Sequence, residues 1–161
     1  MPELPEVETV RRGLADLLPG QAVVRATVFD SPKSFPNSPT DVQQFLYGAH
    51  VTAVRRRAKV LMIDLDTRYS LVIHLKMTGQ LIFRGANSFA GGHPNDSLIG
   101  ELPDRSTRVQ IDFTDGSHLF FNDQRKFGWM KLMPTDEIEN LPFMQKVGPE
   151  PLDKKTEAGD F

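Results

Sequence analysis

The spacing of apolar residues along this chain changes once, near residue 20. Val7, Val10, Leu14, Leu17 and Leu18 fall at helical spacing with Arg11, Arg12 and Asp16 between them, which marks one face of a helix. Pro5 suits a first helical turn, Glu6 and Glu8 suit its positive end, and Pro19-Gly20 stops it, so the pattern predicts a helix over Pro5–Leu18. After that, β signals dominate. Runs rich in branched and aromatic residues cover Ala22–Phe29, Val51–Arg57, Val60–Asp66, Ser70–Leu75 and Gln80–Phe83, with turns at Asp64–Arg68 and Thr78-Gly79. Arg108–Phe113 and Ser117–Asn122 flank Asp115-Gly116, the signature of a hairpin, and Lys126–Met133 reads as one more strand. SPKSFPNSP is a loop, Asp41–Tyr47 a short helix and Gly85–Asp104 a long mobile surface loop. Beyond Pro134 only a helical turn near Asp136–Leu141 stands out.

One amphipathic helix followed by many short strands predicts an α+β fold, mainly β: a two-layer antiparallel β-sandwich flanked by an N-terminal helix and a short second helix. The domain is expected over residues 1–133, with residues 134–161 as the start of an inter-domain linker; the end, DKKTEAGDF, reads as a linker stopping in mid-course.

Composition narrows the class. With 39 % apolar and 25 % charged residues the chain is an ordinary soluble globular protein. It contains no cysteine, which excludes disulfides and thiolate metal sites. No long uncharged apolar run predicts a membrane span, and the acidic start lacks the apolar core of a secretory signal, so a cytoplasmic protein is expected. The net charge of −2 argues mildly against a nucleic-acid partner, but it is unevenly spread. Residues 134–161 carry three Lys against seven Asp or Glu, and residues 1–133 carry 16 basic against 14 acidic groups. Charge alone neither supports nor excludes DNA.

The candidate chemistry lies in the first eight residues, MPELPEVE. If the initiator Met is removed, Pro2 presents a free secondary amine. An α-amino group titrates near about 7.7–8.0, against about 10.4 for lysine, so far more of it is neutral and nucleophilic at pH 7. Attack on an aldehyde-like carbon gives an iminium, an electron sink that is charged without needing an acid. Glu3 and Glu6 are near enough in sequence to move protons. The same residues also suit plain capping of a helix. Three further stretches each carry two readings. RRRAK (Arg55–Lys59) is a solvated strand edge or a phosphate site. In HLKMTG (His74–Gly79) the methionine is core or a wedge between bases. In NDQRKFG (Asn122–Gly128), Arg125 and Phe127 sit two apart and share a face if the backbone is extended, where they could pair with and stack on an orphaned base.

PELPEVETVRRGL, RRRAK, HLKMTG, NDQRKFG and VGPEPLD occur here in the order and spacing of bacterial formamidopyrimidine-DNA glycosylases. The chain strongly resembles the N-terminal part of that family from residue 1 to about Asp153. The resemblance implies a base-excision enzyme that removes oxidised purines, such as 8-oxoguanine and formamidopyrimidines, from duplex DNA and cuts the strand by β,δ-elimination. It implies Pro2 as nucleophile, Glu3 as the proton-transfer carboxylate, Glu6 as a supporting one and Lys59 beside the flipped nucleotide. Met77, Arg125 and Phe127 match the trio that fills the hole left by base flipping. The full DNA-facing set is Arg56, His74, Lys76, Met77, Arg108, Arg125, Lys126 and Phe127. The family's C-terminal helix–two-turn–helix domain and its four-cysteine zinc finger have no counterpart here, so no metal or cofactor is expected in this chain. Duplex DNA with damaged purines or abasic sites is the implied partner of a bacterial, nucleoid-associated monomer, with a C-terminal half encoded elsewhere as one possibility. Gln124, Ser106 and Thr107 depart from residues common in the family. The alternative is a catalytically silent β-sandwich that binds DNA or protein.

Overall fold

The computed structural model of the chain describes residues 3–142 and 144. Helix α1, Leu4–Leu17, begins one residue before the expected start. Glu3 is its N-cap, and the Glu6 carboxyl accepts the Glu3 backbone N–H, so an otherwise orphaned donor at the helix start is satisfied. Val7, Val10 and Leu14 are buried, as their spacing predicts.

Among the described residues nine strands follow: β1 (Val23–Val28), β2 (Val51–Arg57), β3 (Val60–Leu65), β4 (Tyr69–His74), β5 (Gly79–Arg84), β6 (Phe89–Gly92), β7 (Thr107–Phe113), β8 (His118–Asp123) and β9 (Trp129–Pro134). They form a five-stranded sheet, β1-β7-β8-β5-β6, and a four-stranded sheet, β2-β3-β4-β9, antiparallel throughout. The predicted two-layer sandwich is what the chain adopts. Alternate residues point into one core: Leu61, Ile63, Leu71 and Ile73 from one sheet, Leu81, Phe83, Val109, Ile111, Leu119 and Phe121 from the other. Helix α1 packs on β2 and β6, the edge strands of the two sheets, and so closes that side. Gly13 makes this possible, because a Cβ there would overlap the Phe89 ring.

Three expectations need correction. The stretch Gly85–Asp104 is not one long loop. It contains β6, paired with β5 from Gln80↔Gly92 to Phe83↔Phe89, and a 3-10 turn at Asp96–Leu98. Phe-Ala-Gly-Gly has little strand propensity, so the pairing was invisible to pattern. The rest of the segment is tied down. Arg84 donates to the Gly100 and Leu98 carbonyls at 2.9 and 3.3 Å, and Gln80 to the His93 carbonyl at 2.6 Å. On the outer face of the same sheet Ile82 and Phe120, which alternate with core-facing neighbours, are 0 % and 3 % exposed. Second, the last strand starts at Trp129 rather than Lys126, because Lys126 takes a left-handed turn at φ 61°. Third, the short second helix is Pro39–Asp41 (α2), capped by the Ser38 hydroxyl and continued by a π-helical turn, Val42–Leu46.

The free edge of β9 is covered by one side chain: Asn37 donates to the Met130 carbonyl at 3.4 Å and accepts the Leu132 N–H at 2.8 Å. After β9, the turn Thr135–Asn140 returns over the outer face of the four-stranded sheet, where Ile138 and Met144 join Val60, Met62, Val72 and Met133 in a second cluster. Among the described residues no helix is long and apolar enough to cross a membrane.

Candidate active site and nucleic-acid interface

Four segments meet along one rim of the sandwich: the start of α1, the β2–β3 turn, the β4–β5 loop and the β8–β9 loop. At the first, the Glu3 carboxyl is 66 % exposed and lies 3.5 Å from Lys59 Nζ. Lys59 sits in a two-residue turn whose other member, Ala58, is held left-handed at φ 51°. Arg56 holds that turn. Its Nη1 donates to the Ala58 carbonyl at 3.0 Å and its Nε to Glu8 of α1 at 2.8 Å, with 6 % of the side chain exposed. The expectation that Arg56 faces DNA is therefore corrected: it is a brace between helix and turn. Arg55 pairs with Asp64 and Arg57 with Glu139, so every arginine of RRRAK has a carboxylate partner.

Glu8 is the centre of this network. It accepts from Arg11 at 2.8 and 2.9 Å, from Arg56 at 2.8 Å and from Arg12 at 3.0 Å. Hydrogen bonds from Arg11, above all, and from Arg56 and Arg12 hold its carboxyl at about 2, against a partial burial that works the other way.

Strand β4 ends at His74, opposite Val60 and therefore next to Lys59. Burial, then the positive charges of Lys76 and Lys59, push the imidazole down to about 4. Its Nδ1 accepts the Lys76 N–H at 3.0 Å, so the neutral ring keeps its proton on Nε2. Lys76 itself is exposed, in a left-handed conformation at φ 54°. Met77, next in the loop, is 43 % exposed.

The β8–β9 loop carries Arg125 and Phe127. They share a side, though in a turn rather than in extended backbone. The Arg125 guanidinium stands 5.3 Å over the Phe127 ring, and Phe127 is 55 % exposed. Lys126 reaches across to the Asp30 carbonyl at 3.4 Å. Arg108 is another correction to the expected DNA-facing set, since it is 5 % exposed and donates to the Asp123 carbonyl at 2.8 Å. Asp123 is fully buried and bonds to both loops; Thr78 and Arg125 donate to one oxygen and Gly128 to the other.

The rim thus brings together Glu3, Lys59, His74, Lys76, Met77, Arg125, Lys126 and Phe127, while Glu6, Arg56 and Arg108 support it from behind. Pro2 and the VGPEPLD stretch lie outside the described residues. Sequence reasoning did not single out Glu8 or Asp123 as site residues. The signal for Asp123 was its place two residues before Arg125 in a stretch already marked.

Residues 1–130 match the model of the formamidopyrimidine-DNA glycosylase N-terminal domain. The chain belongs to this family. It is 39 % identical to the formamidopyrimidine-DNA glycosylase of Dinoroseobacter shibae over 152 residues, which is 94 % of this chain and 52 % of that protein. With the enzyme of that name from Jannaschia sp. it shares 42 % over 154 residues, again 94 % and 52 %. The chain spans about half the length of these relatives. Among solved structures, it resembles a Lactococcus lactis Fpg mutant complexed with Fapy-dG-containing DNA, with a TM-score of 0.75 and 29 % identity over 93 % of this chain and 50 % of that one. It also resembles the L. lactis formamidopyrimidine DNA glycosylase bound non-covalently to AP-site DNA, with a TM-score of 0.74 and 28 % identity over 92 % and 52 %.

Proposed function

We propose that this chain is the catalytic half of a base-excision enzyme, a DNA glycosylase for oxidised purines such as 8-oxoguanine and formamidopyrimidines, with AP lyase activity. The observation that carries the reading is the site at the start of α1. An exposed carboxyl, Glu3, stands one residue from the family's nucleophile position and 3.5 Å from Lys59, on the same rim as exposed Met77 and Phe127. Family membership supports the assignment of roles.

With Met1 removed, the Pro2 amine attacks C1′ of the damaged nucleotide, the glycosidic bond breaks and the base leaves with a proton. The sugar ring then opens at the C1′–O4′ bond, O4′ taking up a proton, and the iminium so formed at C1′ withdraws electrons, so a C2′ proton is lost and the 3′ phosphate leaves by β-elimination; δ-elimination then releases the 5′ phosphate. Glu3 moves the protons. Lys59 supplies positive charge to the nucleotide's phosphate, and Glu6 holds the backbone of the residue beside the nucleophile. His74 offers a neutral Nε2–H. Met77, Arg125 and Phe127 fill the space left by the extruded base, which offsets an unstacking cost of a few kcal/mol. The chain has no cysteine, so its residues do not assemble the family's four-cysteine zinc site, and no step of this chemistry uses it.

Phosphate contacts dominate DNA affinity, and the RRRAK arginines are engaged with carboxylates. The isolated chain should therefore bind duplex DNA weakly and in a salt-sensitive way, as a bacterial cytoplasmic monomer. Abasic sites should be its easiest substrate, because their aldehyde needs no leaving-group activation. Borohydride trapping on a duplex with one abasic site, followed by mass spectrometry, tests this. The expected result is an adduct at residue 2 that Pro2→Gly, whose primary amine gives an uncharged imine, weakens and Glu3→Gln slows. No adduct from a folded, Met-free chain overturns the activity and leaves a silent DNA- or protein-binding module. A nanomolar dissociation constant for lesion DNA at physiological salt contradicts the expected weak binding.

A further inference from the structure

Asp123 is a charged residue type with 0 % exposure, and its carboxyl group has three donors from two loops. The Thr78 hydroxyl comes from the β4–β5 loop, one residue after Met77. The Arg125 N–H, at 3.1 Å, and the Gly128 N–H, at 2.5 Å, come from the β8–β9 loop on either side of Phe127. The backbone of Asp123 is fixed as well: its N–H donates to the Ser106 carbonyl at 2.8 Å and its carbonyl accepts from Arg108 Nε at 2.8 Å. Gly128 is part of the joint, since a Cβ there would lie 2.8 Å from the His74 carbonyl and 2.9 Å from the Asp123 carboxyl.

We propose that Asp123 is a positioning residue that locks the Met77 loop to the Arg125–Phe127 loop, so that the three exposed side chains enter DNA as one preformed wedge. The proposal rests on the reading of those side chains as insertion residues. Exposed side chains on two separate loops lose conformational freedom when they insert; a buried clamp removes part of that loss beforehand. Only a carboxyl group serves all three donors. An asparagine of the same shape has one acceptor oxygen. Its NH2 would face the Gly128 N–H in one orientation and the Arg125 N–H in the other, leaving a buried donor without an acceptor.

The test has two arms. The chain has no cysteine, so Met77→Cys with Phe127→Cys accepts a pair of spin labels without background. In the absence of DNA the distance distribution is expected to be narrow, and to broaden when Asp123→Asn or the milder Thr78→Val is added. An unchanged distribution in both variants of a folded protein overturns the clamp. In the second arm, on the unlabelled chain, borohydride trapping is compared on duplex and single-stranded abasic DNA. Asp123→Asn is expected to lower duplex trapping by about tenfold, the consequence of one unsatisfied buried donor, and to leave single-strand trapping unchanged. Equal losses on both substrates, or no loss on duplex, overturn the role in insertion. If Met77→Ala and Phe127→Ala leave duplex trapping intact, the insertion reading itself fails, whatever the distances report.

Discussion

Replacing Glu8 by Gln should weaken both the fold and the site, and the loss can be sized from the network around it. The Glu8 carboxyl falls from an ordinary 4.5 to about 2 on folding. Each tenfold change in proton affinity is about 1.36 kcal/mol, so the interactions that favour its ionised form amount to roughly 3 kcal/mol. With 22 % of the side chain in solvent, screening reduces this to about 2 kcal/mol. Gln keeps the shape and one acceptor, but its NH2 would face a guanidinium, and the buried Arg56 would lose its counter-charge. The folded-state value is depressed, so this contribution is complete above about pH 4.5 and disappears as pH falls through about 2.

Urea unfolding from pH 7 to pH 2 measures it. Wild type and Glu8→Gln should differ by about 2 kcal/mol at pH 7, and the curves should converge below about pH 4.5. Because Arg56 also holds the Ala58 carbonyl, the variant should let the Lys59 turn drift from Glu3 and slow trapping on abasic DNA. Curves that stay parallel down to pH 2 would refute the electrostatic account. A destabilised variant with unchanged trapping would refute the link from the brace to Lys59.

His74 should titrate at about 4 in the free protein by NMR, with its proton on Nε2 when neutral; its depressed value makes stability complete above about 6.5 and declining as pH falls through about 4. A resonance titrating near 6.5 would contradict the burial argument. Gly128→Ala should cost about 2 kcal/mol by overpacking, since its Cβ would press on backbone and on a buried carboxyl. A melting temperature within about 1 °C of wild type would mean that the two loops have room to separate.

The sandwich was legible because its strands are short runs rich in branched and apolar residues, as in Val-Leu-Met-Ile-Asp-Leu of β3, and because Asp115-Gly116 names its own hairpin. Strand β6 was not, because two of its four residues are glycines, Gly91 set by the closeness of Val10 on α1 and Gly92 by the backbone of β5 and a positive φ, tertiary demands with no local signature. The site shows the same division. Motif resemblance found the residues that reach outward, Glu3, Lys59, Met77, Arg125 and Phe127. It misassigned Arg56 and Arg108, because a basic residue in a basic run looks the same whether it faces a phosphate or a buried acceptor. What separated them was a partner distant in sequence: 48 positions for Arg56 and Glu8, and 15 for Arg108 and Asp123.

That misreading also explains why net charge was a poor guide to a DNA-facing surface. Residues 1–133 carry 16 basic against 14 acidic groups, and several of those acids are not scattered repulsion at the rim. Glu8, Asp64 and Asp123 are consumed inside the framework, where each is bonded to groups on other elements. Each neutralises or fixes a basic or polar group beneath the site, which leaves Lys59, Lys76, Arg125 and Lys126 at the rim. A sequence sum counts these acids against DNA binding, although their positions make them the supports that aim the cations and the wedge. The field a phosphate meets is set by the charges that remain outside, so the sign of the total and the sign of the face can differ.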